Sequence, residues 1–84
     1  MYFVYVIESQ TSGKLYIGQT NDPVKRLNDH NRGASPYTKG KGPFTLIFLK
    51  EFPTRTESLA YEKLLKSWKS PSRIKAMINR ESVG

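Results

Sequence analysis

The sequence predicts an α+β fold in which helices flank a three-stranded, largely antiparallel sheet, with the element order β-β-α-β-α-α. Two observations lead to this prediction. Residues 2–8 (YFVYVIE) and 14–20 (KLYIGQT) are rich in β-branched and aromatic residues, and the turn signal Ser12-Gly13 lies between them. A third apolar run, residues 44–52 (FTLIFLKEF), lies between segments in which apolar residues recur at helical spacing.

The first two strands are expected to form an antiparallel hairpin, and the alternation of side chains sorts their residues onto two faces. If Ser12-Gly13 is a two-residue turn, or if the loop has any even number of residues, Tyr5, Tyr16 and Gly18 share one face. The opposite face is then apolar enough to belong to the core and carries Val4, Val6, Leu15 and Ile17. An odd loop without a bulge would separate the two tyrosines.

The first helix is predicted from its end signals. Asp22 is a suitable N-cap and Pro23 a suitable first helical residue. Val24 and Leu27 lie three residues apart and are expected to face the core, and Gly33 is a suitable stop. The helix therefore spans about two and a half turns.

The middle of the chain predicts an exposed loop and then a strand. Residues 33–43 (GASPYTKGKGP) are rich in Gly, Pro, Ser and Lys, which is typical of a loop. Residues 44–52 form the most apolar of the three strands, and we therefore expect this strand in the middle of the sheet.

The last part of the chain predicts two helices. Thr54 to Glu57 fits a capping box. The apolar stripe of the helix that follows is expected to contain Tyr61, Leu64, Leu65 and Trp68. Ser70-Pro71 begins a further helix, whose buried face is expected to contain Ile74, Met77 and Ile78.

Composition narrows the class of protein. The chain has 84 residues, so we expect one domain over residues 1–84, and it has no cysteine for a disulfide or a thiolate metal site. No stretch is apolar for the roughly 20 residues of a membrane span, and we expect a soluble, cytoplasmic protein. Fourteen Lys and Arg against seven Asp and Glu give a formal charge of +7. Nucleic acid is therefore the first candidate partner, ahead of an anionic membrane surface.

Several polar residues are candidates for chemistry, although each also has a structural interpretation. Arg26 and His30 lie four apart and project from one side of the first helix, where His30 alone would be a surface histidine near the C-terminus. Glu62 lies roughly 100° from the centre of its apolar stripe, so it faces either solvent or the edge of the sheet. Its spacing from Lys66 is that of an ordinary helix ion pair. Tyr5 alone would be packing in a strand.

Taken together, these residues resemble the GIY-YIG nuclease family. In that family Gly-Ile-Tyr is followed after ten or eleven residues by Tyr-Ile-Gly, and here ten residues separate Phe3-Val4-Tyr5 from Tyr16-Ile17-Gly18. The family's helix arginine, the histidine one turn later and the glutamate on a later helix match Arg26, His30 and Glu62. The resemblance covers approximately residues 2–78 and is closest to small, stand-alone bacterial members. Phe3 and Val4 depart from the first motif, but only its tyrosine does chemistry in the family.

The resemblance implies a role for each matching residue. Tyr5 would take a proton from the attacking water, in a setting provided by Tyr16, Arg26 and His30. Arg26 would also bind the phosphate, and His30 would relay the proton or hold Tyr5 or the phosphate in place. Glu62 would anchor one divalent ion, Mg²⁺ or Mn²⁺. Gly18 would allow a close backbone approach. Asn79 is the candidate for an asparagine that many members have after the glutamate helix.

The function expected from this resemblance is a metal-dependent DNA endonuclease in repair or recombination, with RNA left open as a substrate. The alternatives are a nucleic-acid-binding module that retains the fold and, ranked lowest, a protein-interaction domain. Because the chain offers little surface for base reading, we expect weak sequence preference and targeting by DNA structure or by a protein partner. The sequence predicts no particular oligomeric state. Contacts to phosphate that do not read the base sequence of the nucleic acid are expected from Arg32, Tyr37, Lys39, Lys41, Lys66, Lys69 and Arg73.

Overall fold

The structure, a computed structural model, describes residues 1–34 and 38–83. Its elements follow the predicted order, and the fold is the predicted α+β fold with an antiparallel three-stranded sheet. The elements are β1 (Tyr2–Ser9), β2 (Leu15–Thr20), α1 (Pro23–Asn31), β3 (Phe44–Phe52), α2 (Arg55–Trp68) and α3 (Pro71–Val83). Within the described ranges, no helix is both long enough and apolar enough to cross a bilayer.

The order of strands in the sheet is β2-β1-β3, so the prediction that the third strand lies in the middle is wrong. β1 is central, and its residues 4–7 are buried one after another because both faces of the sheet are covered there. β3 is an edge strand whose apolar run is interrupted by Lys50 and Glu51. A bulge at Ile47 shifts the pairing of β1 with β3 between Val6 and Ile7.

The hairpin of β1 and β2 sorts its side chains as the sequence predicts, although its turn is longer than two residues. The Ser9 N–H donates to the Lys14 carbonyl at 2.9 Å, so residues 10–13 form a four-residue loop. Four is an even number, and Tyr5 therefore faces the same side as Tyr16 and Gly18, with Tyr5 directly paired with Gly18.

The two faces of the sheet are covered by different helices. Val4 and Val6 pack with residues of α2 and α3 in the larger apolar cluster, which also takes in Leu15 and Ile17 from β2. Tyr5, Ile7 and Phe44 form a second cluster with Tyr16, Leu27 and Leu46. α1 therefore lies on the tyrosine face of the sheet, while α2 and α3 lie on the opposite face.

The ends of the helices follow their predicted signals. The Asp22 carboxylate accepts the Lys25 N–H at 3.1 Å at the start of α1, and Pro23 is its first residue. The Thr54 hydroxyl accepts the Glu57 N–H at 3.2 Å at the start of α2. These caps satisfy backbone donors that a helix leaves unpaired at its N-terminus.

Two residues predicted to face the core are exposed instead. The residues of α1 that face the protein are centred on Arg26, Leu27 and His30, so Val24 lies roughly 115° away and is 71% exposed. On α2, Ser58 is fully buried and Leu64 is 47% exposed. The inward side of α2 is therefore rotated relative to the predicted stripe, and this rotation brings Glu62 to the edge of the buried side.

Candidate active site

A cleft of about 590 Å³ lies along the open edge of β2. Five consecutive residues of that strand, 15–19, line it, so the cleft extends over the strand edge and reaches both faces of the sheet. The helices on the two faces converge there. The side chains that meet in the cleft include Tyr5, Tyr16, Arg26, His30, Glu62, Lys66 and Lys69.

Tyr5 and His30 form a buried hydrogen-bonded pair at the base of this cleft. The Tyr5 hydroxyl lies 2.9 Å from His30 Nε2, and the two residues are 5% and 4% exposed. His30 is thus a buried histidine, contrary to the surface position expected for it alone. Burial lowers the pKa of His30 below its usual 6.5, and the Arg26 guanidinium lowers it further, while Asp29 opposes the shift. The imidazole is therefore neutral at pH 7.

Gly18 is required by the phenol ring that lies across it. Gly18 is the cross-strand partner of Tyr5, and a Cβ on Gly18 would overlap the phenol, including Cε2 at 2.8 Å and the hydroxyl. The backbone conformation of Gly18 is an ordinary one, so the constraint is space rather than torsion. Tyr5 thus reaches over the backbone of β2 toward the cleft because its partner has no side chain.

Tyr16 lies next to this pair on the same face of the hairpin. Its ring packs edge-on against Phe44, with centroids 5.5 Å apart and planes at 89°. Lys41 Nζ is 5.9 Å from the centroid of the Tyr16 ring. Phe44 also packs against the His30 ring at 5.9 Å, and it therefore orients both residues.

Glu62 reaches the cleft from the other face of the sheet. Its side chain is 17% exposed, and Oε2 accepts a hydrogen bond from Lys66 Nζ at 2.8 Å. Both interpretations of Glu62 are therefore present in the structure, since it forms the helix ion pair and also faces the sheet edge. The carboxylate and the Tyr5 phenol line the same cleft.

The described residues include no cluster of three or more His, Cys, Asp or Glu side chains suited to a metal ion. The donor set of the cleft is one carboxylate, Glu62, beside several hydroxyls. This set suits Mg²⁺, which retains several waters and takes other ligands from substrate phosphate. It does not suit an ion that requires an all-protein cage. Glu62 is thus the residue that would hold such an ion, and Lys66 already engages one of its oxygens.

The residues predicted to contact nucleic acid divide into several groups. Lys66 and Lys69 line the main cleft. Arg32 forms an ion pair with Asp29 at 2.6 Å, and Arg73 lies over the Trp68 ring at 4.4 Å. Lys39 is exposed in the loop before β3.

Two further predicted residues, Lys41 and Asn79, lie apart from the main cleft. Lys41 lines a small neighbouring pocket with Lys14 and Tyr16. Asn79 is exposed on α3, beyond Pro71 and Ile74, the residues of that helix that line the cleft. Tyr37 falls outside the residues that the structure describes.

Sequence reasoning missed two polar residues that fix the site. Thr38 is fully buried, with its hydroxyl 2.6 Å from His30 Nδ1. Asn31 accepts the Phe44 N–H at 2.6 Å through Oδ1 and donates to the Phe44 carbonyl at 3.3 Å through Nδ2. Neither residue belongs to a periodic pattern, so periodicity gave no signal for them.

Comparison with known proteins identifies a family and several relatives of this chain. The family model described as the GIY-YIG catalytic domain matches residues 1–75. A UPF0213 protein of Streptococcus pneumoniae is 38% identical over 72 residues, covering 84% of this chain and 72% of the relative. A UPF0213 protein of Nitratidesulfovibrio vulgaris is 39% identical over 67 residues, covering 79% of this chain and 60% of the relative. The chain thus spans less than two thirds of the length of the second relative.

A solved structure has the same fold. The solution NMR structure of the UPF0213 protein BH0048 from Bacillus halodurans superposes with a TM-score of 0.59 and 31% identity, covering 94% of this chain and 84% of that chain. Since the family match extends over most of the sequence and the matching residues meet in one cleft, the chain belongs to the GIY-YIG catalytic domain family.

Proposed function

We propose that this chain is a metal-dependent endonuclease that hydrolyses phosphodiester bonds in DNA with low sequence specificity. Membership of the GIY-YIG family implies the nuclease class and a nucleic-acid substrate. The observation that carries the proposal is the convergence of Tyr5, Arg26 and Glu62 from three elements on one cleft. Cleavage of a phosphodiester needs a proton acceptor, an anion-binding group and stabilisation of the leaving oxygen, and these three side chains are suited to those needs.

The proposed path of the proton starts at the attacking water. As the water oxygen bonds to phosphorus, its proton passes to the Tyr5 oxygen while the phenolic proton passes to His30 Nε2, 2.9 Å away. No free phenolate is then required, which matters because a tyrosine has a pKa of about 10. The P–O bond to the leaving oxygen breaks, and that oxygen keeps the bonding pair.

Positive charge in the cleft is proposed to hold the phosphate. Arg26 presents a planar guanidinium that matches two phosphate oxygens, and Lys66 and Lys69 add charge at the α2 end of the cleft. Glu62 would hold one Mg²⁺ or Mn²⁺ ion, which supplies positive charge to the phosphate and the leaving oxygen when bound. Outside the cleft, the exposed side chains of Lys39 and Lys41 are proposed to contact the phosphate backbone of the DNA without reading its base sequence.

The biological setting is a further part of the proposal. The +7 charge supports attraction to nucleic acid, and the small surface leaves little room for base-specific contacts. We therefore propose a cytoplasmic nuclease directed by DNA structure or by a protein partner, in DNA repair or recombination.

The experiment is a cleavage assay on branched, nicked and single-stranded DNA with Mg²⁺, Mn²⁺ or EDTA. Cleavage is expected with either metal and is expected to stop in EDTA. Glu62→Gln should abolish it, while Glu57→Gln, the same change at an exposed position of α2, should leave it intact. Salt-sensitive binding without cleavage by the wild-type chain would contradict the proposal and support the alternative, a binding module that retains the fold.

A further inference from the structure

Thr38 is the third member of the buried chain that begins at Tyr5. Its Oγ1 lies 2.6 Å from His30 Nδ1, while Tyr5 Oη lies 2.9 Å from Nε2, so both ring nitrogens have a hydroxyl partner. Thr38 is fully buried, and its contact with His30 is shielded from water. The protonation of one ring nitrogen is therefore tied to the hydrogen bond made by the other.

The backbone around Thr38 is fixed by several hydrogen bonds. The Thr38 carbonyl accepts the Lys41 N–H at 3.1 Å. The Lys41 carbonyl accepts the Ser9 hydroxyl at 2.7 Å, and the Gln10 N–H donates to the Pro43 carbonyl at 2.9 Å. The loop before β3 is thus tied to the β1–β2 turn, which holds the Thr38 hydroxyl in place.

The two hydroxyls differ in a way that selects one tautomer of the imidazole. A phenol is a stronger hydrogen-bond donor and a weaker acceptor than an aliphatic hydroxyl, because it is far more acidic. The better arrangement has Tyr5 donating to Nε2 and the Nδ1–H donating to Thr38. The charged groups near His30, Arg26 and Asp29, both lie on α1, while β1 contributes Tyr5 and β3 contributes the apolar Phe44.

We propose that Thr38 is a positioning residue whose hydroxyl accepts the Nδ1 proton of His30 and thereby leaves Nε2 ready to receive the phenolic proton of Tyr5. The consequence for cleavage rests on the proposed nuclease function. In the opposite tautomer, Nε2 already carries a proton and donates to Tyr5, so the phenol cannot pass its proton to the imidazole. Loss of the Thr38 oxygen should therefore slow the chemical step.

The tautomer can be read directly, because His30 is the single histidine of the chain. Two-bond ¹H–¹⁵N correlation spectra of the folded protein at pH 7.5 distinguish a protonated Nδ1 from a protonated Nε2. The expected spectrum has a pyrrole-type Nδ1 and a pyridine-type Nε2. A wild-type spectrum with a pyrrole-type Nε2 would overturn the proposal without any variant.

Variants then test the role of Thr38. Thr38→Val keeps the shape but removes the acceptor, so the Nε2–H tautomer should gain population and single-turnover cleavage should fall about 10- to 100-fold. Thr38→Ser should restore both the spectrum and most of the rate. Thr45→Val, the same change at an exposed position of β3, should alter neither. An unchanged spectrum in folded Thr38→Val would overturn the proposal.

The two proposals fail in different ways. If the wild-type chain cleaves nothing but its spectrum shows Nδ1–H, and Thr38→Val shifts that balance, the nuclease proposal fails and the assignment of Thr38 stands. If cleavage occurs and Thr38→Val cleaves at the wild-type rate, the assignment of Thr38 fails alone. Should Thr38→Val not fold, the wild-type and Thr38→Ser spectra still decide, because both must show a protonated Nδ1.

Discussion

At Gly18, packing and chemistry depend on the same missing side chain. The Tyr5 ring occupies the space that a Cβ would fill, so Gly18→Ala must displace the phenol from His30. We expect a loss of about 1–3 kcal/mol in the free energy of unfolding, as in other overpacked sites, together with loss of cleavage. Urea denaturation measures the first effect.

A double-mutant cycle identifies the cause of that loss. In a Tyr5→Ala background the ring is absent, so Gly18→Ala should then lower the free energy of unfolding only slightly. The cycle should therefore give a large coupling energy between the two positions. Equal cost in both backgrounds would show that the phenol does not create the constraint.

His30 predicts a dependence of stability on pH. Its pKa is lowered in the folded protein, first by burial and then by Arg26, so the unfolded chain binds the proton more readily. Its stabilising contribution is therefore complete above the unfolded pKa of about 6.5 and is lost as the pH falls from there toward the folded pKa. Urea midpoints between pH 7.5 and 5 should fall more steeply for the wild type than for His30→Gln. If the urea midpoints of the two proteins fell in parallel with pH, a lowered pKa of His30 in the folded protein would be contradicted.

At the scale of elements, Asn31 joins the end of α1 to the start of β3. Its amide makes two hydrogen bonds to the Phe44 backbone, and Phe44 packs against both Tyr16 and His30. Asn31→Ala should lower the free energy of unfolding, measured by urea denaturation, by about 1–3 kcal/mol, because the Phe44 N–H loses its acceptor in a partly buried position. Hydrogen exchange at residues 38–44 should accelerate. Asn28→Ala, at an exposed position of the same helix, is the control and should change neither quantity.

The elements themselves were largely predictable from local signals. Asp22-Pro23, Thr54 and Ser70-Pro71 mark the helix starts because capping depends on neighbouring residues alone. The central strand was not predictable from apolar content, since burial on both faces depends on which helices cover β1. The rotation of α2 that exposes Leu64 and buries Ser58 was not predictable either, since it depends on how the helix packs on the sheet.

The candidate site was predictable only in part, for a related reason. The family motif identified Tyr5, Tyr16, Arg26, His30 and Glu62, and the structure brings these five side chains to one cleft. The motif gave no information on Thr38 or Asn31, because their partners lie eight and thirteen residues away along the chain. Nor did it show that Arg32 is engaged by Asp29.

For the whole molecule, the charge distribution predicts salt-sensitive binding to DNA. Lys66 and Lys69 lie in the cleft, so Lys66→Ala and Lys69→Ala should each weaken DNA binding. Each should also reduce the slope of the logarithm of the binding constant against the logarithm of the salt concentration by about one. Arg80→Ala removes the same charge from an exposed position near the end of α3 and should have a smaller effect. Fluorescence anisotropy in EDTA measures this slope without cleavage. Equal slopes for all three variants would show that the cleft is not the binding surface.

The central claim is that the Tyr5 hydroxyl, set between the cleft and His30, takes part in phosphodiester cleavage. The most direct test is the single-turnover rate of DNA cleavage in saturating Mg²⁺ by Tyr5→Phe, with Tyr2→Phe as the matched control on the same strand. We predict that Tyr5→Phe binds DNA as the wild type does but cleaves it about 10²- to 10⁴-fold more slowly, while Tyr2→Phe is unchanged. A Tyr5→Phe protein that cleaves at the wild-type rate would contradict the account.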